Sequence, residues 1–149
     1  MRRRLLAWLA LVPLVLSTGC IAVFFDMFDD PMGRKAALRL AQREYTKFVR
    51  WSDIDAAVNF VHPEVRERFL AYEGQFDAIR ITDFEVGQIE FGEEHATATV
   101  RVTYLAYSMQ SMLEREIKET QHWERVGKGN EWFVRPELEG LVGQVADLR

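Results

Sequence analysis

The apolar residues of this chain change their spacing at Ile79, and that change fixes the class of fold the chain can adopt. Before Ile79 they recur every three or four residues, as on one face of a helix, and after it they alternate, as on one face of a strand. Helical segments followed by a run of long strands predict an α+β domain, with helices covering one face of a curved, mainly antiparallel sheet.

Three helices are predicted ahead of the sheet. The first covers residues 34–50, where apolar side chains repeat at helical spacing. The second begins at Ser52, a favourable N-cap that is followed by acidic residues. The third begins at Pro63, because proline suits the first helical position, and it ends at Gly74.

Four strands are predicted after the helices. The first covers residues 79–91 and contains a bulge near Gly87, because its apolar residues change parity there. The second, residues 96–107, alternates regularly between apolar and polar side chains. The third and fourth cover residues 112–126 and 131–135.

This order of elements resembles a known superfamily, the nuclear-transport-factor-two-like cone, which ketosteroid isomerases and many small bacterial lipoproteins share. The resemblance covers residues 34–136 and is carried by the long first helix, Trp51-Ser52-Asp53, His62-Pro63-Glu64, Gln121-His122-Trp123-Glu124-Arg125 and Trp132-Phe133-Val134. It implies a pocket where the sheet curls past the helices. The short strand that the family often inserts between its second and third helices is not evident here.

A second resemblance concerns the first twenty residues. Three arginines, an uncharged apolar run and the ending Leu16-Ser17-Thr18-Gly19-Cys20 are typical of a secretory signal and resemble the lipobox of bacterial lipoproteins. The resemblance implies cleavage after Gly19 and a diacylglycerol on the sulfur of Cys20. Acylation would also account for the single cysteine of the chain, which cannot form an internal disulfide.

The expected organisation is a signal peptide at residues 1–19, a lipidated tether at 20–33 and one cone-like domain at 34–149. By the same resemblance, Ile21 in place of aspartate implies sorting to the outer membrane, with the domain facing the periplasm. An uncut anchor is the alternative, because residues 5–25 carry no charge and would rise about 31 Å as a helix, enough to cross a bilayer.

Charge and motifs exclude several function classes. The formal net charge is −4 for the whole chain and −7 once Arg2, Arg3 and Arg4 are removed, which argues against a nucleic-acid partner. The three histidines, His62, His95 and His122, share no ligand spacing, so no metal site is expected. With no glycine-rich phosphate loop, no cofactor is expected either.

One parity of the third strand carries polar residues where a ligand site could form. If that parity faces the cone interior, Arg115, Glu119 and Gln121 would converge in a mostly apolar cavity. Tyr104 and Trp123 would line it. The alternative is that this part of the strand extends beyond the helices into water, and that the two aromatic residues belong to the core.

No catalytic residue is assigned. A cone-fold isomerase or dehydratase requires a general base and an oxyanion donor in a dry pocket, and no spacing ties Asp83 or Tyr104 to those roles. We predict a non-catalytic domain that binds a small amphiphile or an envelope protein. A pure scaffold module and, less favoured, an enzyme are the alternatives, and a homodimer through the sheet face is compatible with each.

Overall fold

The computed structural model describes residue 30 and residues 32–137. The chain divides into two units, Met1–Arg34 and Lys35–Arg149, and the fold described below is that of the second. The predictions of cleavage after Gly19 and of acylation at Cys20 lie outside the described residues. Within the described part of the chain, no helix has both the length and the apolar character needed to cross a bilayer.

Helix α1 spans Arg34–Arg50, the bounds that the apolar spacing predicts. Its buried face repeats at intervals of three and four residues and consists of Leu38, Gln42, Tyr45, Thr46 and Val49. Two of these five residues are polar. The face that α1 turns toward the core is therefore apolar at its two ends and polar in the middle.

The segment after α1 is more broken than predicted. It contains α2 (Ile54–Ala57), 3-10 turns at Val58–Phe60 and Pro63–Val65, α3 (Arg66–Leu70) and α4 (Glu73–Phe76). His62 has extended ψ of 132°, as residues before proline prefer, and this separates the turn at Pro63 from the one before it. The predicted number of helices is thus wrong, and Gly74 lies inside α4 instead of ending a helix.

The N-cap of α2 is Asp53, not the predicted Ser52. Asp53 Oδ1 accepts a hydrogen bond from Ala56 N at 3.1 Å, as an N-cap side chain does. Ser52 has a left-handed φ of 55° and forms the tight turn between α1 and α2. Both residue types are good caps, so the sequence alone does not separate the two positions.

The sheet contains four strands in the order β1-β2-β3-β4, each antiparallel to its neighbour. They are β1 (Ile79–Phe91), β2 (Thr97–Ser108), β3 (Arg115–Arg125) and β4 (Trp132–Pro136). The predicted α+β class with a curved antiparallel sheet is confirmed. The predicted bulge near Gly87 is present as a register shift between Val86 and Ile89, and a second shift lies between Ile81 and Asp83.

One face of the sheet is buried against the helices. On β2 the inward residues are Ala98, Val100, Val102, Tyr104 and Ala106, and on β3 they are Ile117, Glu119, Gln121 and Trp123. The edge of the Trp123 ring meets Tyr45 of α1, with 5.9 Å between the ring centroids. The core therefore lies between α1 and the middle of the sheet.

We predict that Gly87→Ala destabilises the domain by about 1–3 kcal/mol, the cost of overpacking. A Cβ atom at Gly87 would lie 3.0 Å from the backbone oxygen of Arg101 on β2, which cannot move without disturbing the strand pairing. Urea denaturation followed by tryptophan fluorescence measures the free energy of unfolding. Gly74→Ala is the control, because a Cβ there meets nothing within 4 Å and alanine favours α4. Equal midpoints for the two variants would contradict the prediction.

Candidate functional site

A group of hydrogen-bonded polar side chains lies in the core between α1 and the sheet. We call it the Glu119 cluster, and its members are Gln42, Tyr45 and Thr46 of α1, Tyr104 of β2, and Glu119, Gln121 and Trp123 of β3. Each of these residues is at most 3% exposed. Polar groups removed from water in this way are costly unless each finds a partner.

The carboxylate of Glu119 accepts three hydrogen bonds, each from a different element. Tyr45 Oη donates to Oε1 at 3.1 Å, and Tyr104 Oη donates to Oε2 at 2.7 Å. Gln121 Nε2 also donates to Oε2 at 2.7 Å. The carboxylate thus joins α1, β2 and β3 at one point.

Gln121 connects this carboxylate to a second layer of hydrogen bonds. Its Nε2 also donates to Thr46 Oγ1 at 3.2 Å, while its Oε1 accepts from Trp123 Nε1 at 3.2 Å and from Gln42 Nε2 at 3.4 Å. Gln42 Nε2 donates to Thr46 Oγ1 as well, at 2.9 Å. The donors and acceptors of the cluster are therefore hydrogen-bonded to one another.

Burial raises the pKa of Glu119 above its usual value, and hydrogen bonds from Gln121, Tyr104 and Tyr45 lower it in part. Burial, together with the nearby charge of Glu119, also raises the pKa values of Tyr45 and Tyr104 well above their usual range. Both tyrosines are thus neutral phenols at physiological pH. They serve as hydrogen-bond donors to the carboxylate.

Four of the five residues predicted as ligand contacts lie together in this cluster: Tyr104, Glu119, Gln121 and Trp123. Arg115 does not join them, because it is the first residue of β3 and is exposed. That these residues contact a ligand stays a prediction. Tyr45, Gln42 and Thr46 are not among the residues predicted from the sequence. The polar residues at positions 42 and 46, on the otherwise apolar face of α1, are the sequence signal for them.

An open groove with a volume of about 430 Å³ lies outside the core, between α1 and β4. We call it the α1–β4 groove, and its lining residues are Ala37, Leu40, Ala41, Glu44, Asn59, Phe60, Asn130, Glu131, Trp132 and Phe133. Leu40, which is part of this lining, is 65% exposed. The groove thus presents an apolar surface to solvent.

The three histidines lie apart from one another, at a helix cap, in a turn and at an exposed strand position. His62 Nδ1 accepts from Glu64 N at 3.4 Å, His95 ends the turn Glu93–His95, and His122 on β3 is exposed. Arg135 lies beside His62 and donates to Glu64 at 2.8 Å, which lowers the pKa of Glu64. Among residues 32–137, no three His, Cys, Asp or Glu side chains are placed to hold a metal ion.

No protein-family model matches the sequence, and no curated protein matches it. Among solved structures, the chain is similar to a SEC-C motif containing protein from Rhodopseudomonas palustris, at 14% identity and a TM-score of 0.53 over 72% of this chain and 89% of that one. At such low identity the likeness shows a shared fold alone.

A ketosteroid isomerase-like protein from Erwinia carotovora atroseptica is similar over 66% of this chain and 88% of that one, at 14% identity. Its TM-score is 0.49, and it carries no conclusion about this chain.

We predict that Glu119→Gln changes how stability depends on pH. Because burial raises the pKa of Glu119 above 4.5, the folded protein binds this proton more tightly than the unfolded chain does. The contribution of Glu119 to stability is therefore complete below about pH 4.5 and is lost as the pH rises through the raised pKa. Glutamine does not titrate, so the variant does not lose stability in this way. We therefore expect the free energy of unfolding of the variant, measured by urea titration and compared with that of the natural protein, to increase with pH.

Glu116→Gln is the matched control for this measurement. Glu116 lies on the same strand but is exposed, so its substitution should leave a stability curve parallel to that of the natural protein. Parallel curves for both variants would contradict the assignment of a raised pKa to Glu119.

Proposed function

We propose that this chain is an envelope lipoprotein, held on the periplasmic side of the bacterial outer membrane by acylated Cys20. Support comes from the sequence alone, namely the three arginines, the apolar run and the Leu16-Ser17-Thr18-Gly19-Cys20 ending. The domain that follows is in our proposal a nuclear-transport-factor-two-like cone. The curved antiparallel sheet with helices on one face supports that part.

The domain is in our proposal non-catalytic and binds a protein partner, and one observation carries this. The Glu119 cluster fills the region between α1 and the sheet, and its polar groups contact one another. A small amphiphile in the interior would have to displace these hydrogen bonds and would leave buried groups unpaired. The α1–β4 groove, in contrast, is open to solvent and apolar, as a surface for a partner would be.

An enzyme of the isomerase or dehydratase type is the alternative that the Glu119 cluster favours. A carboxyl group of raised pKa beside two phenols is a combination that stabilises a developing oxyanion in other settings. However, Glu119 is 2% exposed and its three donors belong to the protein itself. A substrate would need contact with at least one of these groups, so we favour binding over catalysis.

The lipid anchor is tested by mass spectrometry of the native protein. We expect an N-terminus at acyl-modified Cys20, and we expect Cys20→Ser to give uncut or soluble material. Recovery of the full precursor, with Met1 present and the thiol free, would contradict the lipoprotein assignment. It would instead support an uncut membrane helix at residues 5–25.

Partner binding is tested by placing a photo-crosslinking amino acid at Leu40 and, as a control, at Leu113. Both leucines are more than half exposed, at 65% and 55%, but only Leu40 lines the groove. We expect irradiation of intact cells to give a discrete protein adduct from position 40 and none from position 113. Equal labelling at both positions, or no adduct at position 40, would contradict the proposal. An adduct of twice the chain mass would identify a second copy as the partner.

A further inference from the structure

The walls of the α1–β4 groove have the shape of a site for another helix. Helix α1 supplies one wall through Ala37, Leu40, Ala41 and Glu44, which follow the spacing i, i+3, i+4 and i+7 along about 10 Å of the helix. Because two of these four side chains are the small methyl groups of alanine, a second helix can approach this part of α1 closely. Aromatic residues form the opposite side, namely Phe60, Trp132 and Phe133.

An extended peptide is a poorer occupant, because the nearby edge of the sheet is already covered. His62 N donates to Val134 O at 2.9 Å, and Val61 bridges Val134 in parallel. Pro136 lies at the end of the same strand and has no N–H to offer. Recognition by strand addition needs open main-chain groups along the edge, whereas recognition of an amphipathic helix needs only apolar side-chain contacts.

The charged residues that line the groove indicate which charge the partner's side chains carry. Its two charged lining residues, Glu44 and Glu131, are both carboxylates. Glu44 is paired with Lys47 at 3.2 Å, but both side chains are at least one-third exposed, so this pair stabilises little and can be exchanged. Anionic lipid headgroups would be repelled by these carboxylates, while lysine or arginine side chains would be attracted.

We infer that the α1–β4 groove is the docking site for a basic amphipathic helix of the partner protein. The apolar face of that helix packs on Leu40 and Phe133, and its lysine or arginine residues lie beside Glu44 and Glu131. This inference rests on the proposed function, because it names the chemistry of the partner that the domain binds.

The test uses two synthetic peptides of about five helical turns with the same leucine stripe. One peptide carries lysine on both sides of the stripe, and the other carries glutamate. Fluorescence anisotropy of the labelled peptides measures their affinity for the full-length protein. We expect the lysine peptide to bind about three- to tenfold more tightly, the modest gain that two exposed ion pairs give. The difference should shrink at about 1 M salt, where the Debye length falls to about 3 Å.

Three variants assign this binding to the groove. Combined Glu44→Gln and Glu131→Gln should weaken the lysine peptide by about three- to tenfold and leave the glutamate peptide no weaker. Leu40→Asp should abolish binding of the lysine peptide. Leu113→Asp, at a leucine outside the groove that is also more than half exposed, should change neither affinity. None of the three substituted positions in α1 and the β3–β4 turn, Leu40, Glu44 and Glu131, is buried, so we expect each variant to fold. Circular dichroism of the free variants checks this.

The outcomes separate this inference from the proposed function. If both peptides bind equally and Leu40→Asp abolishes both, the inference of a basic partner helix is wrong, but the groove still binds protein. Binding of anionic vesicles that depends on Leu40, with no binding of the lysine peptide, would overturn the helix in favour of a membrane surface. Failure of the proposed function is seen independently, as the absence of a protein adduct at position 40 in cells.

Discussion

The hydrogen bonds to the carboxylate of Glu119 are the interaction on which the rest of this domain depends. A carboxylate that is 2% exposed must be compensated, and here one donor comes from α1, one from β2 and one from β3 itself. Hydrogen bonds tolerate only small changes in length, so they fix where α1 lies along the sheet. Apolar packing between Tyr45 and Trp123 alone would permit more than one placement.

This arrangement gives the inward polar residues of the sheet a structural role. The inward residues of β3 that look most like a ligand site, Glu119 and Gln121, are each used to join the helix to the sheet. The hydrogen bonds that these two side chains make between the sheet and α1 are therefore sufficient to explain why they are polar. The α1–β4 groove remains exposed, and it combines a solvent-facing leucine with carboxylates at its margin.

The sequence predicts well those features that depend on local periodicity. The bounds of α1, the alternation of β2 and the inward parity of Glu119 and Gln121 each follow from spacing alone. The breaks between residues 51 and 78 do not, because short helices depend on single caps and turns that several residue types can supply. Arg115 has the same parity on β3 as Glu119, but it is exposed. The alternation of residues along a strand predicts which face each side chain lies on, and it does not predict where the helices stop covering that face.

The pairing of distant residues is the second limit on sequence analysis. Tyr45 and Glu119 are separated by 74 residues, and each by itself resembles an ordinary member of its element. The α1–β4 groove likewise combines parts of α1, the first 3-10 turn and the β3–β4 turn, none of which is unusual alone. Only the three-dimensional arrangement shows that these residues meet.

The irregular outer strand has a consequence for behaviour at high concentration. β1 is an edge strand of thirteen residues, long enough to act as a template for a neighbouring molecule. Its two register shifts bend that edge, and Asp83, Glu85 and Glu90 place exposed negative charges along it. Two copies brought side by side would meet mismatched backbone groups and like charges, so a high local concentration should not turn this domain into a growing fibril.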